Sequence, residues 1–435
     1  MGVGADVVVV GAGVIGSSIA LELARGGHSV TVVDKASGPG QGSTAASSAV
    51  VRFNFTSAAG VALAWEAHFG WRDWAAHLGV DVGELPRFVT TGLVMLDVDA
   101  APREMWLPLF DTYGVPYEEW DSADLARRVS GLDTGRYWPP KRVDDQAFWD
   151  DATGDLGGVF TPDAGYVSDP TLAAANLAAA AQAHGATMRF RSQVTAVEKQ
   201  RGRVSAVVLS DGSRIGCDVV VNAAGPWSGA LNKIAGVGSD FTVGVRPMRQ
   251  EVAHVAAPDD FRLDGGPGPI IADLDLGTYF RGEVGSGLLV GGTEPECDDL
   301  EWLEPDAVDG VSIHPTMAVF EPQVLRAARR LPELAVPNRP SGVVGVYDVA
   351  DDWSPIYDRT DLPGFYVAIG TSGNQFKNAP VVGQLMAALI SEVEAGADHD
   401  TNPVTFFAPR TGLEIDLAAY SRRRPRNNTT GTVLG

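Results

Sequence analysis

The chain has 435 residues with 33 basic and 55 acidic side chains, and its net charge of −22 argues against binding to nucleic-acid phosphates. Its 45% hydrophobic and 20% charged residues are typical of globular protein, in two or three folding units, and exclude a disordered chain. Two distant cysteines, Cys217 and Cys297, exclude a disulfide framework and a cysteine-rich metal site, and we predict no other metal site.

The apolar stretch at residues 7–24 contains glycines, serines and Glu22, and no basic residue precedes it. This pattern predicts folded protein and not a signal peptide. No other run reaches the roughly 20 apolar residues that a membrane span needs. We therefore expect a cytoplasmic protein without a membrane partner.

The first 34 residues predict a complete βαβ unit. Residues 6–10 form an apolar run typical of a strand buried on both faces, and residues 14–25 carry apolar side chains at helical spacing. Gly26 and Gly27 end that helix before a second strand at residues 29–33. A tryptophan-rich helix is then predicted over residues 60–80, whereas residues 85–150 show no clear periodicity.

The second half alternates between two kinds of pattern. A helix capped by Asp169 and Pro170 runs to His184, and a meander over 187–209 follows. Buried parallel-type strands return at 218–222 and 365–369, and the latter leads into a glycine turn and an amphipathic helix. Antiparallel-type strands are expected at 250–255, 278–281 and 287–292.

This order predicts an α/β nucleotide-binding domain that is discontinuous in sequence. We assign it residues 1–85, 150–238 and 340–410. An α+β substrate-binding domain built on an antiparallel sheet takes residues 86–149 and 239–339. Residues 411–435 form a C-terminal tail.

A dinucleotide fingerprint lies between the first strand and helix. Gly11, Gly13 and Gly16 match G-x-G-x-x-G, in which the glycines turn the chain, admit a pyrophosphate and let the helix pack on the strand. Asp34 ends the second strand 18 residues later, where a carboxylate can accept ribose hydroxyls. NAD and FAD share this ADP recognition, so the fingerprint leaves the cofactor open.

The chain resembles the D-amino-acid oxidase superfamily of FAD-dependent oxidoreductases, within it the group of sarcosine oxidase, dimethylglycine dehydrogenase and glycine oxidase. The resemblance covers nearly the whole chain. It depends on five segments: the fingerprint at 11–16; 42–52; 162–166 before the Asp169 helix; 221–228; and 373–377 with Pro380.

The resemblance implies a Rossmann-like FAD-binding domain and a set of FAD-binding residues. The phosphates and ribose would lie at Gly11, Gly13, Val14, Ile15, Gly16, Asp34 and Lys35, and the pyrophosphate and flavin at Gly42, Ser43, Thr44, Ser47 and Ser48. Val194 would meet the adenine, and Ala224, Gly225 and Trp227 would line the cofactor. Gly370, Gly373, Asn374, Gln375, Phe376 and Lys377 would bring a glycine-rich turn to the pyrimidine edge of the flavin.

The resemblance also implies a substrate site. Arg52 and Lys377 fall on the positions that clamp the substrate carboxylate in sarcosine oxidases, and a guanidinium and an ammonium suit one planar carboxylate. Tyr347 matches a family tyrosine that faces the substrate. Tyr279 lies on the strand expected to cover the site. For each tyrosine a packing role is an equal alternative.

Several positions depart from the family pattern. Gly345 stands where monomeric sarcosine oxidases attach FAD to cysteine, and residues 44–46 replace the loop whose histidine attaches FAD in dimethylglycine dehydrogenases. We therefore predict non-covalent FAD. Leu289 replaces a lysine linked to oxygen activation, Thr293 a substrate-side histidine, and residues 374–375 a His-Gly pair. These changes leave the electron acceptor open between oxygen and an electron-transfer protein.

The leading hypothesis is oxidation of the C–N bond of a secondary, tertiary or cyclic amino acid, N-methylated substrates included, by hydride transfer to flavin, after which the imine hydrolyses. A second hypothesis is oxidation of a 2-hydroxy acid, for which His254 is the candidate base. A third is a flavin-bearing subunit that needs partner chains, with residues 421–426 either docking to a partner or forming a solvated tail. An NAD-dependent dehydrogenase is a weaker fourth. The oligomeric state is not predicted.

Overall fold

The computed structural model describes residues 4–427. Its strands, in chain order, are β1 (Val7–Val10), β2 (Val30–Val33), β3 (Val50–Val51), β4 (Phe88–Thr90), β5 (Leu93–Leu96), β6 (Glu118–Trp120), β7 (Val129–Ser130), β8 (Gly158–Thr161), β9 (Gly165–Val167), β10 (Thr187–Arg189), β11 (Val194–Gln200), β12 (Arg203–Leu209), β13 (Arg214–Gly216), β14 (Val219–Asn222), β15 (Val245–Ala256), β16 (Arg262–Leu263), β17 (Gly266–Pro267), β18 (Ile270–Asp273), β19 (Thr278–Gly282), β20 (Gly287–Gly292), β21 (Glu301–Trp302), β22 (Gly342–Ala350), β23 (Ile356–Arg359), β24 (Phe365–Ile369), β25 (Thr405–Phe407) and β26 (Glu414–Asp416). Its α-helices are α1 (Val14–Arg25), α2 (Ala58–Arg72), α3 (Trp74–Leu78), α4 (Leu107–Tyr113), α5 (Ser122–Arg128), α6 (Pro170–Ala183), α7 (Ser228–Ala235), α8 (Met317–Arg330) and α9 (Ala379–Glu394).

A six-stranded sheet contains the predicted βαβ unit. Its order is β10-β2-β1-β14-β24-β23, and its pairs are parallel except the one between β23 and β24. All four valines of β1 are buried, as the uninterrupted apolar run predicts for a central parallel strand. The carboxyl ends of β1, β2 and β14 therefore meet at one edge, where ligands of such sheets bind.

Helix α1 packs closely against α9, which comes from the other end of the chain. The Ser18 hydroxyl donates a hydrogen bond to the Ala379 carbonyl oxygen at 2.5 Å. A Cβ at Gly383 would lie 2.4 Å from the Ser18 carbonyl oxygen, so only glycine permits this crossing. The glycine turn that precedes α9 is thereby held beside the glycine turn that precedes α1.

A larger sheet forms the second half of the molecule. Its strands are ordered β21-β15-β20-β19-β18-β5-β8-β6, and β22 also pairs with β15. Helix α8, which the sequence analysis did not predict, covers one face and buries Phe320 and Val324 in the core of that face. Its Arg330 is fully buried and pairs with Asp273 and Asp275 at 2.7 and 3.0 Å. The ion pairs fix α8 on the sheet and leave the opposite face to the cavity described below.

The sheets do not follow the predicted boundaries in sequence. Strands β8 and β22 pair within the larger sheet, although both lie in segments assigned to the FAD-binding domain. The division into domains itself stays a prediction.

The C-terminal segment differs from the predicted solvated tail as far as residue 427. Arg422 is fully buried and binds Asp358, Asp400 and Asp240 at 3.1, 2.7 and 2.9 Å. Arg424 pairs with a buried carboxylate in the same way. The basic residues of this segment predict a solvated tail, but Arg422 and Arg424 pair with carboxylates from distant parts of the chain. Residues 428–435 of the predicted tail and 1–3 of the predicted first domain lie outside the described residues.

None of the helices within residues 4–427 has the length and apolar character needed to cross a bilayer.

Candidate active site

One cavity of about 340 Å³ extends from the carboxyl edge of the six-stranded sheet to the larger sheet. It gathers most of the predicted site residues, from segments as far apart as the first and last hundred residues. These are Gly11, Gly13, Val14, Ile15, Asp34, Lys35, Gly42, Ser43, Thr44, Ser47, Ser48, Arg52, Val194, Ala224, Gly225, Trp227, Tyr279, Tyr347, Gly373, Asn374, Gln375, Phe376 and Lys377. Of the predicted set, only Gly16 and Gly370 are not among the lining residues.

The first glycine turn leaves no room for side chains. Gly11 has φ of +110°, and a Cβ there would lie 2.3 Å from the Ala223 carbonyl oxygen. A Cβ at Gly16 would lie 2.0 Å from the Gly11 carbonyl oxygen, which explains why Gly16 packs behind the cavity wall. Helix α1 begins at this turn with no side-chain cap from Gly13. Its amino end can therefore receive a phosphate.

Asp34 is held rigidly at the end of β2. Its Oδ2 accepts a hydrogen bond from the Ala12 N–H at 2.6 Å, and its Oδ1 accepts one from the Ala36 N–H at 2.7 Å. Each carboxylate oxygen keeps a further acceptor position for a ribose hydroxyl. The neighbouring Lys35 also lines the cavity, but its Nζ binds Asp309 and lies 4.0 Å from the centroid of the Trp227 ring.

These features fit an adenine dinucleotide. The groups that hold pyrophosphate and ribose are a glycine cradle that any Cβ would fill, the start of helix α1 and a fixed carboxylate. At that helix start the Val14 N–H donates a hydrogen bond to the Thr44 hydroxyl at 3.1 Å. The turn around Gly373, whose φ is +66°, borders the other end of the same cavity. The cavity thus has room for a second, ring-bearing half beyond the phosphates.

Two buried cations lie at that other end. Arg52 is 9% exposed and Lys377 is 4% exposed, and the Arg52 Cζ and the Lys377 Nζ each lie 5.1 Å from the centroid of the Phe55 ring. Arg52 donates to the Asn54 carbonyl oxygen and Lys377 to that of Asn374. Within residues 4–427 no carboxylate pairs with Lys377. The arrangement is suited to receive an anion from outside the chain.

The pKa values of both cations are lowered by their surroundings. Burial lowers the pKa of Arg52 to about 10. Burial, and next the charge of Arg52, lower the pKa of Lys377 well below its usual value. A bound carboxylate would reverse both effects, because an anion favours the charged form of each group.

Two tyrosines, Tyr279 and Tyr347, also line the cavity. The hydroxyl oxygens of Tyr279 and Ser48 are 2.5 Å apart, and the Tyr279 ring lies where a Cβ at Gly291 would be 2.3 Å from it. The Tyr347 ring lies equally close to Gly373. Burial is the largest cause that raises the pKa of both hydroxyls. Both therefore stay protonated near neutral pH and can donate hydrogen bonds.

The residues that depart from the family pattern differ in where they lie relative to the cavity. A Cβ at Gly345 would come within 2.8 Å of the Ala46 Cβ, so a cysteine at 345 would need this loop to move. Thr293 lines the cavity, whereas Leu289 is 8% exposed and is not among the lining residues. Gln375 is buried and accepts a hydrogen bond from the Tyr357 hydroxyl at 3.0 Å.

His254 does not reach the cavity. Its ring is 46% exposed and its Nε2 lies 2.9 Å from a Glu283 carboxylate oxygen. No histidine is among the residues that line the cavity in the described part of the chain.

Sequence reasoning missed several residues of this wall. A group of apolar residues lines the cavity, and so does a buried carboxyl, Asp348, which accepts a hydrogen bond from the Thr371 hydroxyl. Burial raises the pKa of Asp348. The apolar group comes from β5 and from in and around β18: Leu93, Met95, Ile270, Ala272 and Leu274. β5 and β18 are short and show no clear alternation, so the only available signal was the position of Asp348 next to Tyr347.

Comparisons with known proteins agree with this geometry. The family model described as FAD dependent oxidoreductase, DAO, matches residues 6–389. A glycine oxidase of Geobacillus kaustophilus is 27% identical over 421 residues, which cover 94% of this chain and 99% of that protein. A 4-methylaminobutanoate oxidase (formaldehyde-forming) of Paenarthrobacter nicotinovorans is 27% identical over 92% of this chain and 45% of that protein.

A solved structure extends the likeness to the fold. The L-proline dehydrogenase of P. horikoshii superposes with a TM-score of 0.72 at 22% sequence identity, covering 90% of this chain and 95% of that one. The expected α/β fold is thereby confirmed. The larger sheet was expected to be antiparallel and is mixed, because β5 and β18 pair in parallel. Since the family model spans residues 6–389 and its cofactor fits the cavity, the chain belongs to the DAO family of FAD-dependent oxidoreductases.

Proposed function

We propose that the chain oxidises the C–N bond of an amino acid whose nitrogen is secondary, tertiary or cyclic, N-methyl amino acids being the first class to test. The observation that carries the proposal is the buried pair Arg52 and Lys377, which shares one cavity with the dinucleotide site. Lys377 is a desolvated cation next to a second one, and its burial is costly unless an anion joins it. A substrate carboxylate is that anion, because a guanidinium and an ammonium can hold its two oxygens together.

The other residues of the site orient the rest of the substrate. The Tyr279 and Tyr347 hydroxyls donate hydrogen bonds, and Met95 and Leu274 supply an apolar wall that excludes water. When bound, FAD accepts the hydride that leaves the carbon next to the substrate nitrogen. Hydride loss requires the unprotonated amine, and the charges of Arg52 and Lys377 disfavour an ammonium beside them. The resulting imine is hydrolysed by water.

We also propose that FAD is held without a covalent bond. Gly345 and residues 44–46 offer no cysteine or histidine for attachment. The electron acceptor is oxygen or an electron-transfer protein.

The position of His254 disfavours a 2-hydroxy acid as substrate. Removing an alcohol proton needs a base within reach of the hydroxyl, and His254 is paired with Glu283 outside the cavity. An N-alkyl amine needs no such base. The relative that bears a 4-methylaminobutanoate oxidase name supports an N-methyl substrate with a carboxylate.

The test is anaerobic absorbance of the holoenzyme with sarcosine, N,N-dimethylglycine, proline or lactate added one at a time. We expect the flavin band to bleach with at least one of the amino acids and to persist with lactate. Bleaching by lactate alone would replace the proposed reaction by hydroxy-acid oxidation. Arg52→Gln is the variant expected to raise KM strongly, and Arg423→Gln, a change at a half-exposed surface arginine, is its control.

A further inference from the structure

A buried carboxyl group lies just behind the substrate end of the cavity. Glu294 follows Gly292 and Thr293, which both line the cavity. Its Oε1 accepts a hydrogen bond from the Gln250 side-chain amide at 3.1 Å. Its Oε2 is buried and has no hydrogen-bond partner within residues 4–427. A buried carboxyl oxygen without a partner is costly, so its retention calls for an explanation.

The backbone at Glu294 is unusual as well. Its φ is +52°, in the left-handed region that residues other than glycine seldom adopt. Such a conformation costs free energy that the surrounding structure must offset, and it is most common at functional sites. The carboxyl oxygen without a partner and the left-handed backbone thus both belong to the residue that follows Thr293, which lines the cavity.

Glu294 acts electrostatically on the cavity. Its charge contributes to the raised pKa of Tyr279, from β19, and of Tyr347, from β22. Gln250, from β15, is uncharged. On the loop side the neighbour is Asp298, which is paired with Arg326 of α8. Burial, and then Asp298, raise the pKa of Glu294 to about 8, so its charge changes near neutral pH.

Thr293 lines the cavity, and no histidine is among the described residues that do so. Glu294 is therefore a titratable group beside that position, adjacent to but not itself lining the cavity. Asp348 also carries a buried carboxyl, but it accepts a hydrogen bond from the Thr371 hydroxyl.

We propose that Glu294 is a specificity-determining residue: its carboxylate supplies negative charge behind the part of the cavity wall that Gly292 and Thr293 form, and so selects ligands whose carboxylate is accompanied by a cationic or protonatable amine. The inference rests on the proposed function, because it assumes that Arg52 and Lys377 hold the ligand carboxylate. Glu294 acts across Tyr279 and Tyr347 and does not itself contact the ligand.

Two ligands of the same shape separate charge from size. Trimethylglycine carries a fixed positive nitrogen and has no nitrogen lone pair, so it cannot be oxidised. 3,3-Dimethylbutanoate places a neutral carbon at the same position. The dissociation constant of each is measured on the holoenzyme from pH 6 to 9.5 by the shift of the flavin absorbance, and the ratio of the two constants is followed.

In the wild type we expect the preference for trimethylglycine to rise about tenfold as pH increases through about 8, because ionised Glu294 attracts the fixed cation. Glu294→Gln should lose the part of this rise that Glu294 contributes, and Glu294→Asp should keep some of that part. The exposed Glu296→Gln, two residues further on, should behave as the wild type. Titration of Lys377 also changes the ratio, but its contribution is common to the wild type and Glu294→Gln.

A ratio that does not change near pH 8 in the wild type would overturn the inference, even if Glu294→Gln failed to fold. A rise in Glu294→Gln that is as large as the rise in the wild type would also overturn it. In both cases the ligands still bind, and the proposed function stands. Failure of both ligands to perturb the flavin would instead contradict the carboxylate site, and with it this inference.

Discussion

Replacing Lys377 is expected to affect the stability of the fold and the binding of carboxylate ligands in opposite directions. Lys377→Met removes a buried charge but keeps the length and apolar stem of the side chain. Since the Arg52 Cζ and the Lys377 Nζ each lie 5.1 Å from the Phe55 ring centroid, they are at most twice that distance apart. At this limit two unit charges in an effective dielectric constant of 20 repel by about 1.6 kcal/mol. Removing the charge also ends its desolvation cost.

The loss that opposes this gain is one charge-assisted hydrogen bond, from Lys377 to the Asn374 carbonyl oxygen, worth about 1.5–3 kcal/mol. Because the desolvation cost of a buried ammonium adds to the repulsion from Arg52, we expect Lys377→Met to be at least as stable as the wild type. It should bind carboxylate ligands about 10- to 150-fold more weakly, the loss of a charge-assisted hydrogen bond of about 1.5–3 kcal/mol.

The pH dependence of stability follows from the lowered pKa of Lys377. A lysine whose pKa is lower in the folded state destabilises the fold fully below that folded-state pKa. The penalty diminishes as pH rises from there towards about 10.4, the value of an unfolded lysine. The advantage of Lys377→Met should therefore be largest at low pH and diminish in alkaline solution.

The assay combines urea unfolding with excess FAD and the titration of a carboxylate ligand by flavin absorbance. Lys233→Met is the matched control, because the Lys233 side chain is 82% exposed, and it should change neither quantity. A Lys377→Met variant that is less stable than the wild type and binds the ligand as tightly would refute the reasoning, since Lys377 would then be a structural cation and not a ligand-binding one.

Three further predictions concern the cofactor and the C-terminal segment. Asp34→Ala should weaken FAD retention during gel filtration, because the Ala12 and Ala36 N–H groups lose their acceptor along with the ribose; unchanged FAD content would contradict this role. Acid precipitation should release all flavin into the supernatant, and colour left in the pellet would show a covalent link. Arg422→Met should destabilise the fold by about 3–5 kcal/mol in chemical unfolding by leaving buried carboxylates unpaired, whereas Arg423→Met, at a half-exposed residue of the same cluster, should cost less than about 1 kcal/mol.

The dinucleotide half of the site could be predicted from sequence because its determinants are local. The Gly11 turn, helix α1 and Asp34 fall within one βαβ unit, and each has a backbone reason for its residue type. Strand β1 has an all-buried pattern that two covered faces impose. Local rules suffice where one short segment builds the whole feature.

The substrate half depends on contacts that no local pattern reports. Arg52 and Lys377 come from opposite ends of the chain and each lie 5.1 Å from the Phe55 ring centroid. Their selection in the sequence came from resemblance and not from spacing. Glu294 showed no sequence signal, since its isolation from partners is a property of the fold. Arg422 was interpreted as solvated because its acidic partners lie in distant parts of the chain.

The central claim is that one cavity anchors a carboxylate and oxidises the amine attached to it. The most direct measurement is anaerobic stopped-flow reduction of bound FAD by sarcosine and by dimethylamine. Dimethylamine has the same secondary nitrogen but lacks the carboxylate. If another N-methyl amino acid of the panel above reacts faster, it replaces sarcosine. We expect rapid, saturable reduction by the amino acid and at least hundredfold slower reduction by the amine, in line with the loss of about 3 kcal/mol of carboxylate binding. Equal reduction by the two, or none by any amino acid of the panel, would contradict the account.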